Sequence, residues 1–355
     1  MAKILIKNGR IWDGERFLSA DILTDGDKIS QIEPSISEKA DFVYDASGKT
    51  VSAGLVDTHM HIRGISCEQF GAQAETSCFP FGVTAAADAD ARQGDKALLN
   101  SFMLKNAVFV GTNIKNNRAD LSAAEAKLAD YGDKAIGLKV YFDHTISELS
   151  DTAPLYEVCE LARKKGLRVM VHCSHSPAKM SEILGALCKG DILTHSFHGG
   201  ENTAAEDGFE SIRCAQSRGV TIDIGFAGNV HADFALLKKA IDAGIVPDTI
   251  GTDLTKNSVY VRGGRYGMTL CMSIVRTLGM SEENIFKAVT SNAAKALGKE
   301  KEWGYLQVGR CADIAVLDYT NEGFDLTDKA GNRIRSMEGW RCVLTVSDGK
   351  IVYRE

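Results

Sequence analysis

A (β/α)8 barrel of the α/β class, with a small discontinuous β-sandwich domain supplied by the two termini, is the fold the sequence predicts. Three observations carry this. Short apolar runs, polar loops and helical patterns alternate through the middle of the chain. The alternation fills roughly 250 residues, the size of such a barrel. Residues able to bind metal fall where the apolar runs end, and that is where this fold keeps its reactive groups.

In chain order, residues 1–52 read as short strands broken at Asn8-Gly9, Asp13-Gly14 and Asp25-Gly26. The barrel is expected over 53–301, with strands ending near Met60, Asp88, Asn113, Tyr141, His172, His195, Gly225 and Asp253. Amphipathic stretches at 121–131, 155–165, 179–189 and 232–243 separate them. In the last, Phe234, Leu237 and Ile241 recur at helical spacing. Residues 302–355 return to short strands, with turns at Val308-Gly309 and Asp348-Gly349. Neither end has enough apolar residues to stand alone. The two are therefore expected to pair, with 342–346 near the amino-terminal strands, in a domain that is purely structural.

Composition narrows the function. A chain of 355 residues buries a substantial core in one large domain and a small one. Its 41 basic and 47 acidic residues are interspersed and leave a net charge of −6, so nothing supplies the basic patch that nucleic acid requires. No apolar stretch approaches membrane-spanning length, and the amino terminus lacks the pattern of a secretion signal. The nine cysteines are odd in number and lack CxxC spacing, as in reduced thiols of a cytoplasmic protein.

The chemistry begins at His59-Met60-His61, which closes an apolar run. In a strand, residues i and i+2 share a face, so both imidazoles can meet one ion. Gly54 allows close approach and Asp57 offers a partner for an imidazole. An isolated pair of this kind is equally explained by two satisfied histidines in a turn. His172, His195 and Asp253 change that, because each closes its own apolar run, and Lys139 sits in the same setting. Imidazoles and a carboxylate suit zinc or a similar borderline ion. An ammonium has no lone pair to give; the Lys139 amine could instead add carbon dioxide, and the resulting carbamate could bridge two metals.

His59-Met60-His61, Lys139, His172, His195 and Asp253 resemble the ligand set of the amidohydrolase superfamily, of the binuclear type with a carboxylated lysine. Residues 4–9, 290–298 and 304–316 are similar to its flanking β-domain and closing barrel segment, so the resemblance covers nearly the whole chain. Residues 190–199 and 250–253 are similar to a dihydroorotase-like and deacetylase-like group. The resemblance implies two divalent ions, zinc first, with manganese, iron or cobalt as alternatives, and a homo-oligomer. One ion would take His59, His61 and Asp253, the other His172 and His195, with carboxylated Lys139 and a hydroxide between them. Attack by that hydroxide on an amide carbonyl, with Asp253 as general base and then acid, would give a carboxylic acid and an amine.

Arg63 completes an HxHxR and could bind a substrate carboxylate through two parallel hydrogen bonds, if the strand continues that far. Arg262 and Arg265, in the loop after Asp253, are a second candidate anion site. His175 and His198 are expected to brace loops and His231 to lie on the surface. Asp88 and Asp90 could support the histidine pair, and Tyr141 and Asn229 could touch substrate. The expected partner is thus a small carboxylate-bearing amide, N-acylated or cyclic, and not nucleic acid or membrane. Alternatives are an ester deacetylase of an O-acyl hydroxy acid, a mononuclear ring deaminase, and a non-catalytic scaffold.

Overall fold

The computed structural model describes residues 2–66, 69–261 and 266–355. Arg262 and Arg265 lie outside the described residues, as does the side chain of Asn229. The chain is mixed α/β and is organised around two large sheets.

The first sheet is parallel. Its seven strands are Leu55–Met60, Val83–Ala91, Lys105–Thr112, Ala135–Tyr141, Arg168–His172, Ile192–Thr194 and Thr221–Ile222, and each pairs with the next in chain order. Parallel neighbours need crossover connections. The helices Leu121–Tyr131, Ala153–Lys164, Met180–Ala186 and Glu210–Ser217 supply them, and Phe234–Asp242 follows the last strand. Leu55–Met60 is buried along its whole length, as a strand covered on both faces must be. Phe234 and Leu237 face the core as predicted, with Ala240 fully buried beside them and Ile241 only partly so.

The predicted eighth strand is not built as a strand. Residues 249–254 touch both edges of the curled sheet through single parallel bridges, Thr249 with Asp223 and Leu254 with Met60. Two backbone donors that a ladder would use go instead to buried carboxylates. Gly251 N donates to Asp223 Oδ1 at 2.8 Å and Thr252 N to Asp57 Oδ1 at 3.1 Å. Asp253 then takes a left-handed conformation, φ 48°, which ends regular extension.

The terminal segments form a second sheet of eight strands. Ile4–Trp12, Phe17–Asp25, Lys28–Glu33, Phe42–Asp45 and Thr50–Ala53 come from one end, and Ile314–Thr320, Gly339–Ser347 and Lys350–Arg354 from the other. The two halves join where Thr50–Ala53 pairs antiparallel with Ile314–Thr320. One apolar cluster draws Ile6, Ile11 and Val51 together with Ile314, Val316 and Leu344, so each end completes the other's core. Residues 342–346 lie one strand further out, with Ile314–Thr320 between them and the amino-terminal half.

Asn8-Gly9 is not a turn between strands. Asn8 has φ 61°, the register shifts between Ile6 and Gly9, and one strand continues through the bulge. Gly54 is where the chain leaves the terminal sheet for the parallel one; a β-carbon there would fall inside the Thr84 side chain.

A small hairpin, Phe324–Thr327 with Arg333–Ser336, departs from the terminal sheet. Its tip folds against the helix Phe234–Asp242, where Asp328 Oδ2 accepts from Phe234 N at 2.7 Å.

Candidate metal centre and the cleft beside it

His59 and His61 stand on one face at the end of their strand, 1 % and 3 % exposed, with ring centroids 5.6 Å apart. His172 ends its strand, and His195 directly follows Ile192–Thr194 with φ 62°. Asp253 reaches the same place from the bridging segment.

Following the protons shows what this cluster lacks. His59 Nδ1 lies 2.9 Å from Thr194 Oγ1, whose hydroxyl donates to Asp223 Oδ2 at 2.7 Å, so Nδ1 must carry the proton. His61 Nδ1 lies 3.0 Å from Ser66 Oγ, whose hydroxyl is committed to Asp88. His195 Nδ1 donates to the Gly225 carbonyl at 2.7 Å. Each ring therefore turns Nε2 inward.

His59 Nε2 and His61 Nε2 stand 3.3 and 3.0 Å from Asp253 Oδ1. That oxygen is buried and forms no hydrogen bond of acceptable geometry despite these short distances. Lone pairs converge on one another, an arrangement that a cation resolves. The electrostatics agree. Against burial, the imidazoles of His59 and His61 hold the Asp253 carboxyl well below the usual carboxylate range. Burial and Lys139 oppose protonation of His59, yet Asp253 and Asp223 raise its pKa. The site calls for positive charge at Nε2.

A second group adjoins the first. His172, His195 and His231 place ligand nitrogens within 4.8 Å of one another, as do the ligand atoms of His59, His61 and Asp253. His172 Nε2 lies 3.2 Å from Asp143 Oδ2, which fixes its proton there and leaves Nδ1 as the ligand atom. Burial pushes the pKa of His172 down to about 3, and that of His195 well below its ordinary value.

Between the groups lies Lys139, fully buried, with Nζ 3.4 Å from His59 Nε2. Burial lowers its pKa to about 8, and the neutral amine so favoured is the form that adds carbon dioxide. These donors fit a pair of divalent ions. A third cluster, Cys311, Asp313 and Asp348, already holds the Lys105 ammonium at 2.6 and 2.8 Å from its carboxylates.

The sequence missed Asp143 and Asp223 and misread other residues. His231 is not on the surface; its ring centroid lies 4.3 Å from that of His195 and 5.1 Å from that of His172. Its loop follows the last strand of the parallel sheet, and that position on the reactive end was the available signal. Asp223 was not singled out. It is fully buried and binds the hydroxyls of Thr58, Thr194 and Thr249 and the Gly251 amide. Asp57 meets no imidazole side chain, and its carboxylate instead accepts from His59 N and from Thr252 N and Oγ1. Asp88 braces His61 through Ser66, whereas Asp90 pairs with Arg92 and Tyr141.

Arg63 is exposed in a turn. The strand stops at Met60 because Asp88 takes the Ile62 amide at 2.7 Å and Ala72 takes the bridge to Ile62. The face shared by His59 and His61 therefore does not extend to Arg63. Next to the imidazoles opens a cavity of ≈ 260 Å³ lined by Ser174, His175, His198, His231, Asp233 and Lys329, among others. His175 both lines it and braces Asp143, with Nδ1 3.3 Å from Oδ2. No helix among the described residues is long and apolar enough to cross a membrane.

Residues 50–352 match the model of the Amidohydrolase family. A deacetylase of Enterococcus faecalis is 27 % identical, covering 98 % of this chain and 98 % of that protein. A deacetylase of Agrobacterium fabrum is 30 % identical, over 88 % of this chain and 82 % of that one. Among solved structures, a dihydroorotase aligns over 100 % of both chains with a TM-score of 0.88 and 25 % identity.

Proposed function

The chain belongs to the amidohydrolase family, hydrolases of carbon–nitrogen bonds, and from that premise we propose that it cleaves the amide of a small N-acylated or cyclic substrate bearing a carboxylate. In this reading residues 249–254 close the parallel sheet into a (β/α)8 barrel spanning 53–301. Residues 1–52 and 302–355 form the small β-domain beside it.

The observation that carries the proposal is the convergence of His59 Nε2, His61 Nε2 and an Asp253 Oδ1 left without a hydrogen bond on one buried point. One ion would be held by these three residues and a second by His172 and His195, with Lys139, as its carbamate, reaching both. Zinc suits the donors best; manganese, iron or cobalt would also fit. When bound, two dications lower the pKa of water and polarise a scissile carbonyl.

The rest is done by the chain. Asp253, kept ionised by its imidazoles, takes the proton of the attacking water and passes it to the leaving nitrogen. Thr194, Ser66 and Gly225 hold three rings in the tautomer that turns Nε2 inward. The products are a carboxylic acid and an amine, or an alcohol from an ester. Arg63, Arg262 and Arg265 stay candidates for the substrate carboxylate. The buried, readily neutral Lys139 favours the binuclear centre over a mononuclear ring deaminase, which has no use for it.

Elemental analysis of protein expressed with zinc or manganese and kept in bicarbonate tests this. About two ions per chain, falling sharply in Lys139→Ala, is the expected result for a bridged pair. One ion indifferent to Lys139 would point to deamination, and none to a scaffold.

A further inference from the structure

The cavity beside the centre contains an unanswered hydrogen-bond donor. His198 is 3 % exposed, and its Nδ1 accepts from Gly200 N at 3.2 Å, so the proton must sit on Nε2. That Nε2 is buried and has no partner among the described residues, although the ring lines the cavity. An orphaned buried N–H is costly unless a ligand answers it. With Nδ1 already accepting, the ring is a neutral donor.

Facing the same cavity is Lys329, at the tip of the hairpin from the terminal sheet. Its position is fixed by its neighbours. Asp328 Oδ2 accepts from Phe234 N at 2.7 Å and from Asn332 Nδ2 at 3.0 Å, and Asn332 Nδ2 also reaches Asp233 Oδ1 at 3.0 Å. Among the described residues no carboxylate pairs with the Lys329 ammonium. The one carboxylate on the cavity wall, Asp233, caps the helix Phe234–Asp242 through Leu236 N and binds Asn332.

We infer that His198 Nε2–H and the Lys329 ammonium form the subsite that holds the substrate's carboxylate, one donor neutral and buried, the other charged and at the mouth. This rests on the hydrolase reading and specifies it. His231 borders both the imidazole cluster and the cavity, so the anion would sit one side chain away from the reacting carbonyl. A volume of ≈ 260 Å³ lies just under the usual range for ligand pockets, as suits a small acyl carboxylate. The terminal domain then contributes to specificity as well as to stability.

The test uses metal-loaded protein and a panel of N-acetyl-α-amino acids and O-acetyl-α-hydroxy acids, each beside its neutral primary amide. KM is read where there is turnover and calorimetric affinity where there is none. Wild type should prefer the carboxylates. Lys329→Ala should weaken them about tenfold or more while leaving the amides unchanged, and Lys329→Arg should recover most of the loss. His198→Leu should act in the same direction, and His198→Gln, which keeps a donor, should lose less. No carboxylate preference in wild type, or equal losses on acid and amide, would overturn the subsite. Metal content read on the same samples separates this from failure of the hydrolase reading. A chain that holds its two ions but ignores the carboxylate loses only the subsite.

Discussion

The floor of the site and its rim are built differently. On the floor, His59, His61, His195 and Asp253 are nearly or fully buried, and their outward atoms are tied to Thr194, Ser66, Gly225 and the strand backbone. On the rim, His175 and Lys329 sit on loops, partly or largely exposed, and the hairpin that carries Lys329 comes from the other sheet. A floor so constrained fixes where a reacting atom must lie. The rim can change its side chains at little cost to the fold, so under the proposed subsite substrate choice would be set there.

If that division holds, the largest effect belongs to the floor. Asp253→Asn keeps the shape but removes the base and a ligand charge. We expect kcat to fall by about 10²–10⁴-fold or more, measured as initial rates beside metal content. An activity close to wild type would remove Asp253 from the proton transfer.

Next comes the support below the floor. Asp223→Ala strands the hydroxyls of Thr194 and Thr249 and the Gly251 amide. Metal affinity should drop by about 10–100-fold, read by chelator competition. The fold should lose about 1–3 kcal/mol in denaturant titration. If affinity stayed put while stability fell, Asp223 would serve only the sheet.

A smaller effect is expected where rim and terminal domain meet. Asp328→Ala frees the hairpin tip from Phe234 N, costing about 1 kcal/mol of stability. KM for a carboxylate substrate should rise severalfold with metal content unchanged. Unaltered KM would show that the hairpin does not position anything the substrate touches.

The smallest effect sharpens the comparison between two cations. Arg63 is exposed in its turn, so Arg63→Ala should change KM for the carboxylate less than Lys329→Ala does. The reverse order in parallel kinetics would return the carboxylate to the HxHxR arginine.

The legible part of the site was the part written into strands. The His59–His61 pair, His172 and His195 close three apolar runs, and short runs of that kind bounded by turns suit buried parallel strands. Position at its end then follows from sequence alone. The terminal strands were legible in the same way, although Asn8-Gly9, read as a turn, is a bulge inside one strand. His231 was misjudged because a loop residue carries no periodicity that says which way it faces, whereas His198 braces its loop through Gly200 N as expected and lines the cavity as well. Asp253 was named as a site residue and lies beside His59 and His61, yet its segment was expected to be a regular strand.

The sequence by itself determined that strands would alternate with helices, that both ends would need each other, and that imidazoles would gather at strand ends. Those properties follow from local pattern and composition, which every short stretch of chain carries with it. Only the tertiary structure decided which nitrogens of His59 and His195 face inward, because their partners, Thr194 for the one and Gly225 for the other, lie 135 and 30 positions away in sequence. It alone set Lys329 against His198, since the hydrogen bonds of Asp328 and Asn332 that do so join residues about a hundred positions apart.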